Sequence, residues 1–190
     1  MTLDAVLSRK DDTLPEALDR LMALLRIPSI STDPAYRADC ARAANWLADG
    51  LQSLGLKASS RATTGHPMGV GHGGAGARHL LSYGHYDVQP VDPLSLWARD
   101  TFDPAIEDTP NSPVIRARGA SDDKGQAAAY VGEGGSIPIA GYFKTYLGID
   151  AMQVGFSRDD DQIHSPNEKY VLESVHNGIG SWARILARLM

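Results

Sequence analysis

Cysteine is almost absent from this chain. Cys40 is the only one, so no disulfide can close within the chain and no cysteine-built zinc cluster can assemble. That accords with a reducing compartment, and Cys40 itself reads as a small buried hydrophobe. Basic residues are in the minority, 18 Lys and Arg against 23 Asp and Glu, giving a net charge of -5 with no basic stripe. This argues against nucleic acid or an anionic membrane as a partner and favours a small molecule or peptide. Long apolar runs are lacking too. No window reaches the length of a membrane span or the core of a signal peptide, so the cytoplasm is the expected location. Internal repeats and low-complexity linkers are also missing.

What is present suffices for one domain. With 190 residues and 43% hydrophobic content, the chain can build one α/β domain with a real core and is too short for two of ordinary size. Thr13-Leu-Pro-Glu16 reads as a helix start, and Leu14, Leu18, Leu21 and Leu25 supply one apolar face. A second helix is expected after Asp33-Pro34, carried by Cys40, Ala43, Leu47, Leu51 and Leu54 and stopped at Gly55. Residues 61–77, rich in Gly and Thr, read as a surface loop or long hairpin in which His66 and His72 simply face solvent.

Strands are expected at His79–Tyr83, at Val114–Arg118 and at Met152–Phe156. The first two run into Gly84 and Gly119, and open α/β sheets place ligands at such strand ends. Lys124 starts a short helix that glycines stop within about two turns. Ser136-Ile-Pro138 can cap a helix running through Leu147, and an amphipathic helix is expected from Tyr170 to the C-terminus.

Three polar runs carry the chemistry. In Tyr83-Gly-His-Tyr-Asp-Val-Gln-Pro90, His85 and Asp87 share a face if the backbone is extended. A neutral imidazole is a good zinc ligand, and a neighbouring carboxylate can orient it; alone, an H-x-D pair is equally at home as ordinary polarity. In Arg118-Gly-Ala-Ser-Asp-Asp-Lys-Gly125, Asp122 and Asp123 precede a helix, where acids also serve as caps. In Asp159-Asp-Asp-Gln-Ile-His-Ser-Pro-Asn-Glu168, His164 lies in a polar loop before the last helix. Three such loops at sheet ends make a shared metal site more plausible than three accidents.

Together these runs resemble the zinc metallopeptidase family of carnosinase-type dipeptidases, glutamate carboxypeptidases, aminoacylase and succinyl-diaminopimelate desuccinylase, most of all its dipeptidase branch. YGHYDVQP, PLSLW, ARGASDDKGQ, GGSIP and IHSPNEKY stand in family order. The resemblance implies a three-layer α/β/α catalytic domain with a mixed, mostly parallel sheet. It implies two zinc ions, or manganese or cobalt, bridged by Asp122, with His85 on one ion, His164 on the other and Asp87 supporting catalysis. It implies cleavage of dipeptides, short peptides or N-acyl amino acids by water activated between the ions. A cis peptide is implied at Asp122-Asp123.

The resemblance breaks between Tyr130 and Glu133, where family chains are much longer. There they carry a Glu-Glu pair, the general base and a zinc ligand, then a further acidic ligand and an inserted lid domain. No adjacent glutamates occur in this sequence, and Gly132 stands where many relatives place a substrate-holding arginine. The expected organisation is one truncated catalytic domain over 1–190, with 1–131 as its N-terminal and 132–190 as its C-terminal part, lacking the central segment and lid. Each zinc would keep two protein ligands where a catalytic ion ordinarily has three, so weak binding is expected. The rival reading is a non-catalytic remnant or minimal scaffold holding at most one metal. Lost central strands would leave an exposed edge that favours a homodimer.

Overall fold

The structure is a computed structural model and describes residues 2–74, 80–129, 142–148, 152 and 154–189. Helix α1 (Leu3–Asp12) opens on Thr2, whose hydroxyl accepts from the Ala5 amide, and it buries none of its residues. Its mixed charges hide it from apolar periodicity. It lies against the last helix, α5 (Leu172–Leu189), where Lys10 and Asp11 both approach Nε2 of His176 at 2.7 Å. Helix α2 (Leu14–Leu25) forms where the leucine spacing puts it, with proline in its first turn and Leu21, Leu24 and Leu25 buried. A 3-10 turn (Pro34–Tyr36), capped by Asp33, leads into α3 (Arg37–Ser53), which buries Cys40, Ala43, Ala44 and Ala48.

The Gly/Thr-rich stretch takes the hairpin option. Strands β1 (Lys57–Arg61) and β2 (Met68–His72) pair antiparallel and pack on α3. The second sheet has the order β3 (Ala105–Glu107), β4 (Val114–Arg116), β5 (Lys169–Val171), antiparallel throughout. Parallel pairing, expected to dominate, is represented among the described residues by one isolated bridge, Ile30 to Val88. The α/β class stands, and α4 (Lys124–Ala129) and α5 (Leu172–Leu189) complete it.

Three of the expected elements differ. The run at 80–83 is not a strand: Leu80 and Leu81 are exposed, and no strand among the described residues pairs with them, so the backbone lacks the neighbours a buried strand needs. His79 lies outside the described residues. Met152 and 154–156 form no strand either, because the Phe156 amide donates to Gln126 Oε1 at 3.0 Å instead of joining a ladder. The last helix starts two residues later than its apolar spacing suggests, since Tyr170 and Val171 pair with Ile115 and Val114 as β5. Residues 143–147 form a π-helical turn, while the expected start at Ser136 lies outside the described residues.

The main core joins Leu21 and Leu25 of α2 to Ile115 of β4, Tyr170 of β5 and Val175 of α5. Sequence-distant ends of the chain therefore share one core, and at about 1.5–3 kcal/mol per buried large apolar side chain these five are a main source of its stability. A second cluster, Leu24, Ile27 and Ala43, ties α2 to α3, and a third, Ile30, Val88 and Val91, anchors the loop that carries His85. Among the described residues no helix is long and apolar enough to cross a membrane.

Candidate metal centre

His85 and Asp87 lie in a loop just before the Ile30–Val88 bridge, which places residues 29–31 beside them. The Val88 amide donates to Ser29 O at 3.0 Å, and the Ser29 hydroxyl donates to Tyr86 O at 2.6 Å. His85 Nδ1 stands 3.1 Å from Asp87 Oδ1 and 3.1 Å from the Asp87 carbonyl, and the Ser31 hydroxyl donates to Asp87 Oδ2 at 2.6 Å. The imidazole is thereby turned so that Nε2 faces Asp122 Oδ1 at 3.3 Å.

Asp122 sits in a turn between β4 and α4 that two glycines make possible. At Gly119 the backbone has φ +81°, and a Cβ would stand 2.5 Å from Val88 Cγ1. At Gly125 a Cβ would stand 1.9 Å from the Ala120 carbonyl oxygen. The turn wraps around the buried carboxylate of Glu168. Oε1 accepts from the Ser121 amide at 2.8 Å and the Asp122 amide at 2.9 Å; Oε2 accepts from the Gly119 amide at 3.1 Å and Arg118 Nη1 at 2.8 Å. Burial pushes the Glu168 carboxyl up, against the three amides and the guanidinium, and only the ionised carboxylate can accept all four bonds. Arg118 also lies 4.9 Å over the Trp97 ring. Behind the turn, the buried Lys124 donates to Leu24 O at 3.1 Å and Ile27 O at 2.6 Å, pinning α4 to the end of α2. Burial presses its amine down to about 7. The Asp122–Asp123 peptide is cis, as the family resemblance implies.

His164 comes from the loop before β5, in backbone of φ 63° between Gln162 and Asn167, which are also left-handed. Asp161 fastens this loop by accepting from the Arg158 amide at 2.8 Å and the Ser121 hydroxyl at 3.3 Å. His164 Nε2 hydrogen-bonds Asp122 Oδ2. The two imidazoles thus take different oxygens of one carboxylate that is only 10% exposed.

Electrostatically the cluster is tightly coupled. Burial opposes the charge on His85, but hydrogen bonds to Asp122 and Asp87 and the Asp123 charge outweigh it and push the imidazole up to about 11. Burial raises Asp87 while hydrogen bonds from His85 and Ser31 bring it down to about 2. Asp122 is likewise lowered, its burial being outweighed by His85 and His164. Such a set holds protons where a cation could stand.

The donor spacing fits a divalent ion at the His85 end of Asp122, whereas at the other end His164 Nε2 bonds Asp122 Oδ2 directly, closer than two donors of one ion stand. An ion binding tetrahedrally at about 2.0–2.1 Å sets neighbouring donors about 3.3 Å apart, the spacing of His85 Nε2 from Asp122 Oδ1. Among the described residues no three His, Cys, Asp or Glu side chains form a ready metal cage. The expected trio therefore converges, yet as two edges of two donors each. His66 and His72 stay apart from the cluster; His66 Nε2 donates to the Ser31 carbonyl at 2.9 Å. Sequence reasoning missed Ser31 and Glu168. Glu168 stood inside the IHSPNEKY run, but nothing local marks a glutamate that will be buried against backbone amides 46–49 residues away.

On this α/β scaffold three loops bring His85, Asp122 and His164 together, and comparison with known proteins shows what the chain is similar to. Cys-Gly metallodipeptidase DUG1 of Candida albicans is 27% identical over 136 residues, 64% of this chain and 28% of that protein. Succinyl-diaminopimelate desuccinylase of Xanthomonas euvesicatoria is 47% identical over 58 residues, 30% of this chain and 14% of its own length. The M20 family metallo-carboxypeptidase Sso-CP2 of Sulfolobus solfataricus superposes with a TM-score of 0.52 at 40% identity, over 60% of this chain and 25% of that structure. No family model matches the chain. Its relatives are nonetheless named as metallodipeptidases, a metallo-carboxypeptidase and desuccinylases, and the chain covers about three tenths or less of the length of each of the three.

Proposed function

We propose that this chain is the metal-holding part of a metal-dependent hydrolase that cleaves dipeptides, short peptides or N-acyl amino acids, with residues 1–131 and 132–190 acting as two parts of one catalytic domain. The observation that carries the reading is the convergence of His85 and His164 on the two oxygens of Asp122. Pairing of β4 with β5 and the grip of Glu168 on the Asp122 turn support the joining of the two parts.

In this reading Asp122, His85 and His164 would hold divalent metal, zinc by the imidazole and carboxylate donor set, with manganese or cobalt also accepted, and each imidazole would serve its own side of the Asp122 carboxylate. Such ions, when bound, polarise a scissile carbonyl and lower the pKa of water. The chain's own residues do the rest. Asp87 accepts from His85 Nδ1 and keeps Nε2 aimed at Asp122.

A second reading has its own support. No adjacent glutamates exist anywhere in the sequence, and no third ligand joins either edge among the described residues. Without a general base the rate falls by about 10²–10⁴. On this reading the chain is a non-catalytic remnant that holds at most one ion, weakly. Mass-spectrometric metal analysis after zinc loading, together with turnover of a dipeptide, separates the two. Two ions with turnover support the hydrolase; one weak ion without turnover supports the remnant. No metal at all, with a melting temperature indifferent to chelator, overturns the hydrolase and leaves the remnant.

A further inference from the structure

We infer that Ser31 is a positioning residue for this centre: its hydroxyl, donating to Asp87 Oδ2 at 2.6 Å, fixes the Asp87 carboxylate so that the other oxygen holds His85 Nδ1 and aims Nε2 at Asp122. The inference rests on the metal-centre reading for its consequence and on the hydrogen-bond chain alone for its geometry. Ser31 is 56 residues from Asp87 and belongs to none of the motifs that carry the family resemblance.

The serine is held from several sides. On its N-terminal side, Ile30 is bridged to Val88 and buried with Val88 and Val91. The Ser29 hydroxyl donates to Tyr86 O, and Val88 N to Ser29 O, so residues 29–31 are tied to residues 86–88. The Ser31 carbonyl accepts from His66 Nε2 at 2.9 Å, and the loop bearing His66 is tied down by the Tyr86 hydroxyl donating to Pro67 O at 2.6 Å. On the C-terminal side Asp33 caps the 3-10 turn that follows. A hydroxyl on so constrained a backbone sets direction, whereas Asp87, 43% exposed, would otherwise rotate into solvent. Outer partners of this kind change metal affinity by about 10–100-fold when removed. Because His85 Nδ1 also meets the Asp87 carbonyl, the lower end of that range applies.

The test compares the full chain with Ser31→Ala and Ser31→Thr. Two quantities are read: zinc affinity by competition with a chromophoric chelator, and, in metal-free protein, solvent exchange of the His85 Nδ1 proton by NMR. Ser31→Ala is expected to weaken zinc about tenfold and to speed proton exchange severalfold at an unchanged melting temperature, with Ser31→Thr restoring both. If wild-type protein binds no zinc but Ser31→Ala still speeds exchange, the metal-centre reading fails and the positioning role stands. Unchanged exchange in Ser31→Ala, or a loss that Ser31→Thr does not rescue, overturns the inference.

Discussion

Replacing Glu168 with glutamine probes the joint that makes one site from two ends of the chain. The native carboxylate is fully buried and accepts four hydrogen bonds, two on each oxygen. An amide keeps one oxygen and turns its NH2 toward two donors, so two bonds are lost and Arg118 loses its counter-ion. Breaking one side of a buried ion pair costs about 3–5 kcal/mol. For a domain of this size each kcal/mol moves the melting temperature by about 2–4 °C, so a fall of about 6–20 °C is expected. Circular dichroism melts of wild type and Glu168→Gln measure it. Glu107→Gln, which loosens a partly exposed pair with Arg116, is the control and should move the midpoint by no more than about 4 °C, since surface pairs are worth at most about 1 kcal/mol. A Glu168→Gln protein melting within about 2 °C of wild type would refute the account of the turn.

Further outcomes follow from the same geometry. In metal-free protein His85, pushed up to about 11 from 6.5, contributes stability that is complete below pH 6.5 and lost as pH rises toward 11. Asp87, depressed to about 2, contributes stability present above its usual 3.8 and lost as pH falls toward 2. His85 thus acts to lower the melting temperature above about pH 6.5, while Lys124, pressed down to about 7 from 10.5, acts to raise it between about pH 7 and 10.5, so the melting temperature of His85→Gln should rise relative to that of wild type across the alkaline range. Lys124→Met removes the ammonium donor from two carbonyls that each keep a backbone amide, from Ile27 and Ser29, and should cost about 1–3 kcal/mol in urea unfolding, with an m-value unchanged. Leu80 and Leu81, exposed in unpaired backbone, should drive concentration-dependent association that sedimentation detects and Leu80→Lys with Leu81→Lys abolishes.

Helix α2 and helix α3 were legible because their apolar stripes and caps are local, and both strands of the hairpin fell within the alternatives the Gly/Thr stretch allowed. The convergence of His85, Asp122 and His164 was legible through motif order; no local pattern encodes a distance between residues so far apart. The strand expected from His79 failed where a partner decides the matter, since an apolar pentapeptide becomes a strand only beside another. Tyr170 shows the reverse: helical spacing claimed it, and pairing with Ile115 took it. Glu168 and Ser31 were invisible for the same reason, as their roles are defined by backbone amides and a carboxylate brought from elsewhere.

X-ray absorption at the zinc edge of the loaded protein tests most directly whether one carboxylate and two imidazoles share the metal. About one imidazole per zinc is expected, with the remaining first-shell scatterers light oxygen atoms, and His85→Gln or His164→Gln should each lower the imidazole contribution. A zinc spectrum without imidazole scattering, or one unchanged by both substitutions, would contradict a centre built on Asp122.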